Sequence, residues 1–203
     1  MKVELLSYLP IDKLRESLKG VDVSPGDLLP HTSFTFAIEG ISRACSHQLV
    51  RHRLASYSQK SQRYIESDRL KELVVTPRTV AEKEAELFDA FIDTASETYR
   101  KLLEADVPRE DARFVLPNAA ETSLLMTMDG RAIHHFFGLR CCNRAQWEIR
   151  ALADSMLARV REVEPEAFRR AGPYCYQLGR CPEGRFSCGR MEEVRERYEK
   201  LSL

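Results

Sequence analysis

Apolar residues recur along this chain with two different periods, and the two periods alternate in an irregular order. From residue 31 to 38 polar and apolar residues alternate, which predicts a strand that begins at His31. From Ile41 the spacing becomes helical. The residues predicted to face the core here are Phe34, Phe36, Ile38, Ile41, Cys45 and Leu49. This mixed order favours an α+β or irregular α/β fold over a regular doubly wound sheet.

The remaining elements follow from the same patterns. Strands are predicted at residues 3–9 and 121–128, and short helices at 11–18, after Pro108 and at 131–138. A capping box at Thr79–Glu82 predicts a long helix that runs towards Val107. Asn143, with Gln146 three residues later, predicts another capped helix start. The core stripe predicted for that last helix is Ile149, Leu152, Ala153, Met156, Leu157 and Val160.

Length and composition favour one domain. The 203 residues include no Gly/Pro/Ser-rich linker, so residues 1–203 are predicted to form a single domain with a Gly/Cys-containing tail at 172–203. No apolar run is long enough to span a membrane, and the N-terminus lacks the pattern of a secretory signal. We therefore expect a cytoplasmic protein that has no membrane partner.

Six cysteines in a cytoplasmic chain are expected to be reduced thiols. Cys175, Cys181 and Cys188 lie in the tail, at spacings that match no common zinc pattern. The sequence therefore predicts no bound metal.

A long segment of the chain contains no acidic residue. It runs from Ile41 to Ile65 and carries five cations, two histidines and a dense run of hydroxyl groups. Guanidinium and hydroxyl donors at this density are typical of a phosphate site. On a helix Gln48, Arg51 and His52 would share one face. The residues from Arg53 to Tyr64 are predicted to form an ordered binding loop.

Motifs of other catalytic and nucleotide-binding sites are incomplete or missing in this sequence. Ser61 could be activated by His52, but the chain lacks the Gly-x-Ser-x-Gly elbow of serine hydrolases. Nucleotide-binding glycine loops of the Rossmann and Walker types are also absent from the sequence. For Arg140, Arg144 and Arg150, a solvated or ion-paired helix face and a functional site stay equally open, with Glu148 available to Arg144.

The segment Arg51-His52-Arg53, followed by seven positions, Ser61 and then Arg63-Tyr64, resembles the signature of the flavin-dependent thymidylate synthases, the ThyX family. Further agreement occurs in the same order at residues 31–36, 107–110, 116–118 and 139–150. The resemblance implies a ThyX-like fold with a central antiparallel or mixed sheet and long helices, assembled as a homotetramer with sites at subunit interfaces. It also implies conversion of dUMP to dTMP, with methylene tetrahydrofolate as carbon donor, FAD as redox carrier and NADPH as reductant.

The resemblance assigns roles to individual residues of this chain. The residues implied to hold FAD are His31, Ser33, Arg51, His52, Arg53, Gln59, Arg140, Asn143 and Arg144. Those implied to hold dUMP are Gln48, Arg51, Gln59, Lys60, Ser61, Arg63 and Arg150. Arg150 is also implied to be catalytic, by stabilising negative charge on the uracil ring. The family uses no protein nucleophile on the uracil.

One position departs from the family pattern. Many relatives carry a basic residue that helps to hold the nucleotide where this chain has Ser123. The sequence therefore predicts weaker dUMP binding through this position.

A non-catalytic module that binds single-stranded nucleic acid is the alternative function. The basic loop would supply phosphate contacts, and Tyr57, Tyr64 and Trp147 would stack on bases. The equal numbers of acidic and basic residues, 31 of each, disfavour this alternative, because such modules are usually basic.

Overall fold

A computed structural model describes residues 1–64 and 70–201, so Ile65, the predicted end of the acid-free segment, lies outside the described residues. Helices and a four-stranded antiparallel sheet of order β1-β2-β4-β3 make up the fold. The strands are β1 Lys2–Leu9, β2 Ser33–Ser42, β3 Ser56–Gln59 and β4 Glu121–Met128. These elements confirm the predicted α+β class.

Eleven helices are described in these residues. They are α1 Ile11–Ser17, α2 Pro25–Leu28, α3 Arg43–Leu49, α4 Arg78–Lys83, α5 Ala85–Glu104, α6 Arg109–Ala112, α7 Gly130–Arg140, α8 Trp147–Val163, α9 Pro165–Phe168, α10 Tyr174–Leu178 and α11 Met191–Lys200. No helix in the described ranges is long and apolar enough to cross a bilayer.

The chain forms two compact units, and each is built from separate stretches of sequence. Unit 1 contains Met1–Ile38, Leu49–Tyr57 and Leu125–Leu203, and unit 2 contains Glu39–Gln48 and Ser58–Leu124. Strands β2, β3 and β4 each contribute residues to both units. The single domain spanning 1–203 stays a prediction.

The core of unit 1 forms around α8. Its predicted stripe from Ile149 to Val160 is buried throughout, which confirms the period of 3.6 residues. Phe168 packs edge-on against Phe34, with 5.5 Å between ring centroids, and also against Phe137. The predicted tail belongs to this unit, where Val194 and Tyr198 of α11 are buried. Helix α11 of the tail therefore packs into the core of unit 1.

Unit 2 is organised around the long helix α5. Ile92, Ala95 and Tyr99 face inwards at helical spacing, as the sequence predicts. Tyr99 joins a buried cluster with Leu70, Ala112 and Ala120. This cluster packs the end of α5 against the segment that precedes β4.

Some element boundaries differ from those predicted. The expected capping box at Thr79–Glu82 is wrong, since Pro77 precedes α4 and the backbone breaks at Glu84 (φ −149°) before α5 begins. Strand β2 begins at Ser33, because His31 closes a preceding 3-10 turn. Asn143 does not begin a helix. Gln146 caps α8 instead, by accepting bonds from the backbone N–H groups of Glu148 and Ile149.

Candidate active site

The acid-free segment changes conformation halfway along its length. Helix α3 ends at Leu49, so the predicted helix face shared by Gln48, Arg51 and His52 is wrong. The Tyr57 hydroxyl lies 2.9 Å from the carbonyl oxygens of both Leu49 and His52, and this contact holds the chain in a tight turn. The hydroxyl-rich loop predicted after Arg53 contains strand β3. Arg51, His52 and Arg53 therefore lie beyond the end of α3.

In unit 1 most of the predicted cofactor arginines meet at one cavity. This cavity, called the arginine cavity below, has a volume of about 610 Å³. Its polar lining residues are Arg51, His52, Arg53, Asp129, Arg131, His135 and Arg140. The Asp129 carboxylate caps α7 by accepting a bond from the Ala132 N–H at 2.8 Å. The lining thus contains four guanidinium groups and a single carboxylate, which is already engaged as a helix cap. This excess of positive charge favours an anionic ligand.

Two cavity residues could have been found from helix spacing. Arg131, His135 and Leu139 are four residues apart on α7, so they lie on one helix face and line the arginine cavity together. The predicted helix at 131–138 already contained this spacing.

His52 is held neutral beside a cation. Its Nε2 accepts a 2.8 Å hydrogen bond from Arg140 Nε, so the ring proton lies on Nδ1. Burial, together with the charges of Arg140 and His135, lowers the pKa of His52 from 6.5 to about 4. Near neutral pH the imidazole therefore orients Arg140 without adding a charge.

This arrangement predicts how His52 titrates. In an NMR titration we expect its ring to protonate near pH 4, and Arg140→Met should raise the pKa because a repelling cation is lost. The pKa of the variant should stay below 6.5, since burial is the larger cause. A His52 pKa of 6.5 in the wild-type protein would contradict a buried imidazole that accepts a bond from Arg140.

The lowered pKa of His52 also makes the stability of the fold depend on pH. The unfolded chain takes up the proton near pH 6.5, before the folded chain does near pH 4. The contribution of His52 to folding is therefore complete above pH 6.5 and is lost as the pH falls towards 4. Thermal unfolding across this window should show the loss, and the loss should be smaller in Arg140→Met.

A second cavity of unit 1 is lined by thiols. Its volume is about 270 Å³, and Arg140, Asn143 and Arg144 line it together with four cysteines. These are Cys142, Cys175, Cys181 and Cys188. Within the described ranges no group of three or more His, Cys, Asp or Glu residues is placed to hold a metal ion.

The side chains of Arg144 and Arg150 each donate to a backbone carbonyl. Arg144 donates to the carbonyl of Phe186 and lies 5.6 Å from the centre of that ring, whereas Glu148, its expected partner, is buried. Arg150 Nη1 donates to the carbonyl oxygen of Asn143 at 3.0 Å. Both guanidinium groups are thus positioned by backbone carbonyls of unit 1.

In unit 2 a smaller group of predicted residues comes together. Lys60 and Ser61 line a small pocket with Thr122 and Glu121. Gln59 Nε2 donates to the Thr122 hydroxyl at 3.3 Å, and Lys60 N–H donates to the Ser123 carbonyl at 2.9 Å. Pairing with β4 therefore fixes the backbone next to Ser61.

Six predicted residues line none of these three pockets: His31, Ser33, Gln48, Gln59, Arg63 and Arg150. Arg63 forms an exposed ion pair with Glu110 at 3.7 Å, and the Gln48 amide donates to the Ala44 carbonyl. His31 is exposed, and Ser33 opens β2. Neither belongs to the described residues that line the arginine cavity, although the adjacent Pro30 does.

Comparison with known proteins identifies the family. The family model described as Thy1, thymidylate synthase complementing protein, matches residues 19–166. The flavin-dependent thymidylate synthase of Geobacter sulfurreducens is 50% identical over 205 residues, which cover 95% of this chain and 88% of that protein. The chain belongs to the flavin-dependent thymidylate synthases.

Solved structures of this family agree with the fold. The flavin-dependent thymidylate synthase ThyX of Helicobacter pylori, complexed with FAD and dUMP, is 25% identical with a TM-score of 0.63. That match covers 88% of this chain and 97% of the other. A UMP/dUMP methylase, PolB of Streptomyces cacaoi bound with 5-Br dUMP, is 25% identical with a TM-score of 0.66, covering 84% and 95%. These matches confirm the ThyX-like fold.

The nucleic-acid-binding alternative receives no support from these comparisons. The contacts of Tyr57 also argue against it. Its hydroxyl is bonded to two backbone carbonyls, and burial raises its pKa to about 12. Tyr57 therefore braces the turn and is poorly placed to stack on a base.

Proposed function

We propose that this chain is a flavin-dependent thymidylate synthase that converts dUMP to dTMP, with FAD as cofactor and with methylene tetrahydrofolate and NADPH as co-substrates. The observation that carries this proposal is the arginine cavity of unit 1, which is lined by the signature residues Arg51, His52 and Arg53 of a chain that belongs to this family.

The arginine cavity fits the cofactor. Its volume of about 610 Å³ is within the usual range for small-molecule sites, roughly 300–1,000 Å³. Guanidinium groups bind phosphate oxygens in a bidentate manner, and a diphosphate offers several such oxygens. We therefore assign FAD binding to Arg51, His52, Arg53 and Arg140. The assignment extends to His31, Ser33, Gln59, Asn143 and Arg144 on the family resemblance.

The nucleotide would be held through its phosphate and its base. Lys60, Ser61 and Arg63 offer two cations and a hydroxyl to a phosphate, and pairing with β4 supports the backbone at Lys60 and Ser61 in unit 2. Gln48, Arg51, Gln59 and Arg150 complete the proposed dUMP set. When bound, FAD would pass reducing equivalents from NADPH to the transferred carbon.

Arg150 has a catalytic task in this proposal. Its guanidinium would lie beside the uracil ring and stabilise the negative charge that develops there as C5 becomes nucleophilic. The carbonyl of Asn143 holds this guanidinium in place before the substrate arrives. A fixed cation of this kind needs little reorganisation during the reaction.

Assembly and location belong to the same proposal. We infer a homotetramer whose sites combine residues of neighbouring subunits, because separate segments of the chain carry the two sets of residues. We also infer that the enzyme works in the cytoplasm.

The test is product formation. Purified protein supplied with dUMP, methylene tetrahydrofolate, NADPH and FAD should form dTMP, and omission of FAD from flavin-free protein should abolish it. No dTMP, or dTMP formation that does not depend on FAD, would overturn the proposal. Salt-dependent binding of an oligonucleotide without flavin binding would instead support the nucleic-acid alternative.

Ser123 gives a graded prediction about dUMP. Its backbone carbonyl accepts a hydrogen bond from the backbone N–H of Lys60. Its half-buried side chain is on β4 in unit 2. Ser123→Arg should tighten dUMP binding by about tenfold, since a charge-assisted contact is worth about 1.5 kcal/mol. Calorimetric titration would measure this effect, with Ser123→Gln as a control that adds length without charge. Unchanged or weaker binding in Ser123→Arg would contradict the prediction.

A further inference from the structure

The C-terminal segment lies beyond the part of the chain that matches the family model. That match ends at residue 166, whereas α10, α11 and the residues between them occupy 174–200. These residues belong to unit 1 and contact the connection between α7 and α8. This connection, residues 141–146, is called the connecting loop below.

Tyr198 of α11 contacts both the start of the connecting loop and the helix that follows the loop. Its hydroxyl lies 3.0 Å from the carbonyl oxygen of Cys141, where α7 has just ended, and 2.5 Å from Asp154 Oδ1 on α8. Arg197 donates to the other oxygen of Asp154 at 3.2 Å. Burial raises the pKa of Tyr198 well above its usual value, so the phenol stays protonated and can donate. The two helices that flank the loop are therefore clamped to one side chain.

The connecting loop in turn holds Arg150. Its residue Asn143 supplies the carbonyl that accepts from Arg150 Nη1, and Gln146 caps the helix that carries Arg150. Asp154 is one turn further along the same helix. A displacement of the loop would therefore move the Asn143 carbonyl and change the direction of the guanidinium.

We propose that Tyr198 is a positioning residue for the synthase reaction, which fixes the connecting loop and, through the Asn143 carbonyl, the guanidinium of Arg150. This inference rests on the function proposed above. Tyr198 itself touches no reactant in this scheme. Its effect on turnover passes through Arg150.

Two variants separate positioning from general stability. Tyr198→Phe removes only the hydroxyl and keeps the buried ring, whereas Val160→Ala weakens the packing of unit 1 at a buried residue that lines none of the cavities described above. At saturating substrates Tyr198→Phe should lower kcat by about tenfold, because small misplacements of a catalytic group cost one to two orders of magnitude. Its dUMP dissociation constant should change less than threefold. Val160→Ala should keep its kcat at a temperature where all the variants are folded.

A double-mutant cycle supplies a readout that a structural role would not produce. In an Arg150→Ala background, Tyr198→Phe should cause no further loss of kcat, since its effect operates through the missing guanidinium. An equal loss in both backgrounds, a kcat within twofold of wild type, or failure of Tyr198→Phe to fold at the assay temperature would overturn the inference. Wild-type protein that forms no dTMP would instead overturn the proposed function, and this inference with it.

Discussion

Replacing Arg150 by alanine is expected to lower kcat by about 10²- to 10³-fold, which is the usual effect of removing one fixed donor to a developing negative charge. The side chain is only half-buried and donates to the Asn143 carbonyl, so the fold should tolerate the change. Saturating dUMP is needed in the assay, because Arg150 is also proposed to contact the nucleotide. Single-turnover formation of dTMP measures the effect.

The matched control for Arg150 is on the same helix. Arg159 is exposed and forms a surface ion pair with Glu162 at 3.0 Å, so Arg159→Ala should leave turnover unchanged. Arg150→Lys keeps the charge but loses the planar fork of donors, and an intermediate rate is expected. Turnover in Arg150→Ala close to that of wild type would remove this residue from its proposed role.

A large loss of stability is expected from Arg161→Met. This side chain is 8% exposed, and its three nitrogens donate to four backbone carbonyls at 2.6–3.3 Å. The acceptors are those of Phe168, Arg169, Ala171 and Tyr198. Methionine keeps most of the aliphatic stem but leaves these carbonyls without the donor. The expected cost is about 3–5 kcal/mol in the free energy of unfolding.

Urea unfolding of Arg161→Met and of Arg159→Met would measure this difference. The exposed ion pair of Arg159 should be worth less than about 1 kcal/mol, so that variant should resemble wild type. Equal stabilities of the two variants would contradict the assignment of Arg161 as the donor that ties α8 to the C-terminal segment. Because α11 carries Tyr198, partial detachment of the helix should also lower turnover.

Short-range periodicity predicted most of the core. The stripes of β2, α3 and α8 are buried as expected, because each is a local pattern that only one face of the element can satisfy. The cationic site could also be predicted, because the charge of a short segment does not depend on its secondary structure. Arg51, His52 and Arg53 line one cavity even though they do not lie on the predicted helix.

Contacts between residues far apart in sequence could not be predicted in this way. Helix α3 ends at Leu49, whose carbonyl accepts a bond from the Tyr57 hydroxyl. No pattern in residues 41–53 predicts this helix end. The link from Arg140 to His52 spans 88 positions, and the clamp from Tyr198 to Cys141 spans 57. Polar pairs at such separations leave no periodic signal. For this reason the sequence of residues 172–203 predicted reduced thiols but not the contacts of Tyr198.

The absorption spectrum of the purified protein tests the central claim most directly. After incubation with FAD and removal of excess cofactor by gel filtration, the protein peak should carry oxidised flavin bands in the visible range. Anaerobic addition of NADPH should bleach those bands. A protein peak that retains no flavin at micromolar concentrations of chain and cofactor would contradict the account.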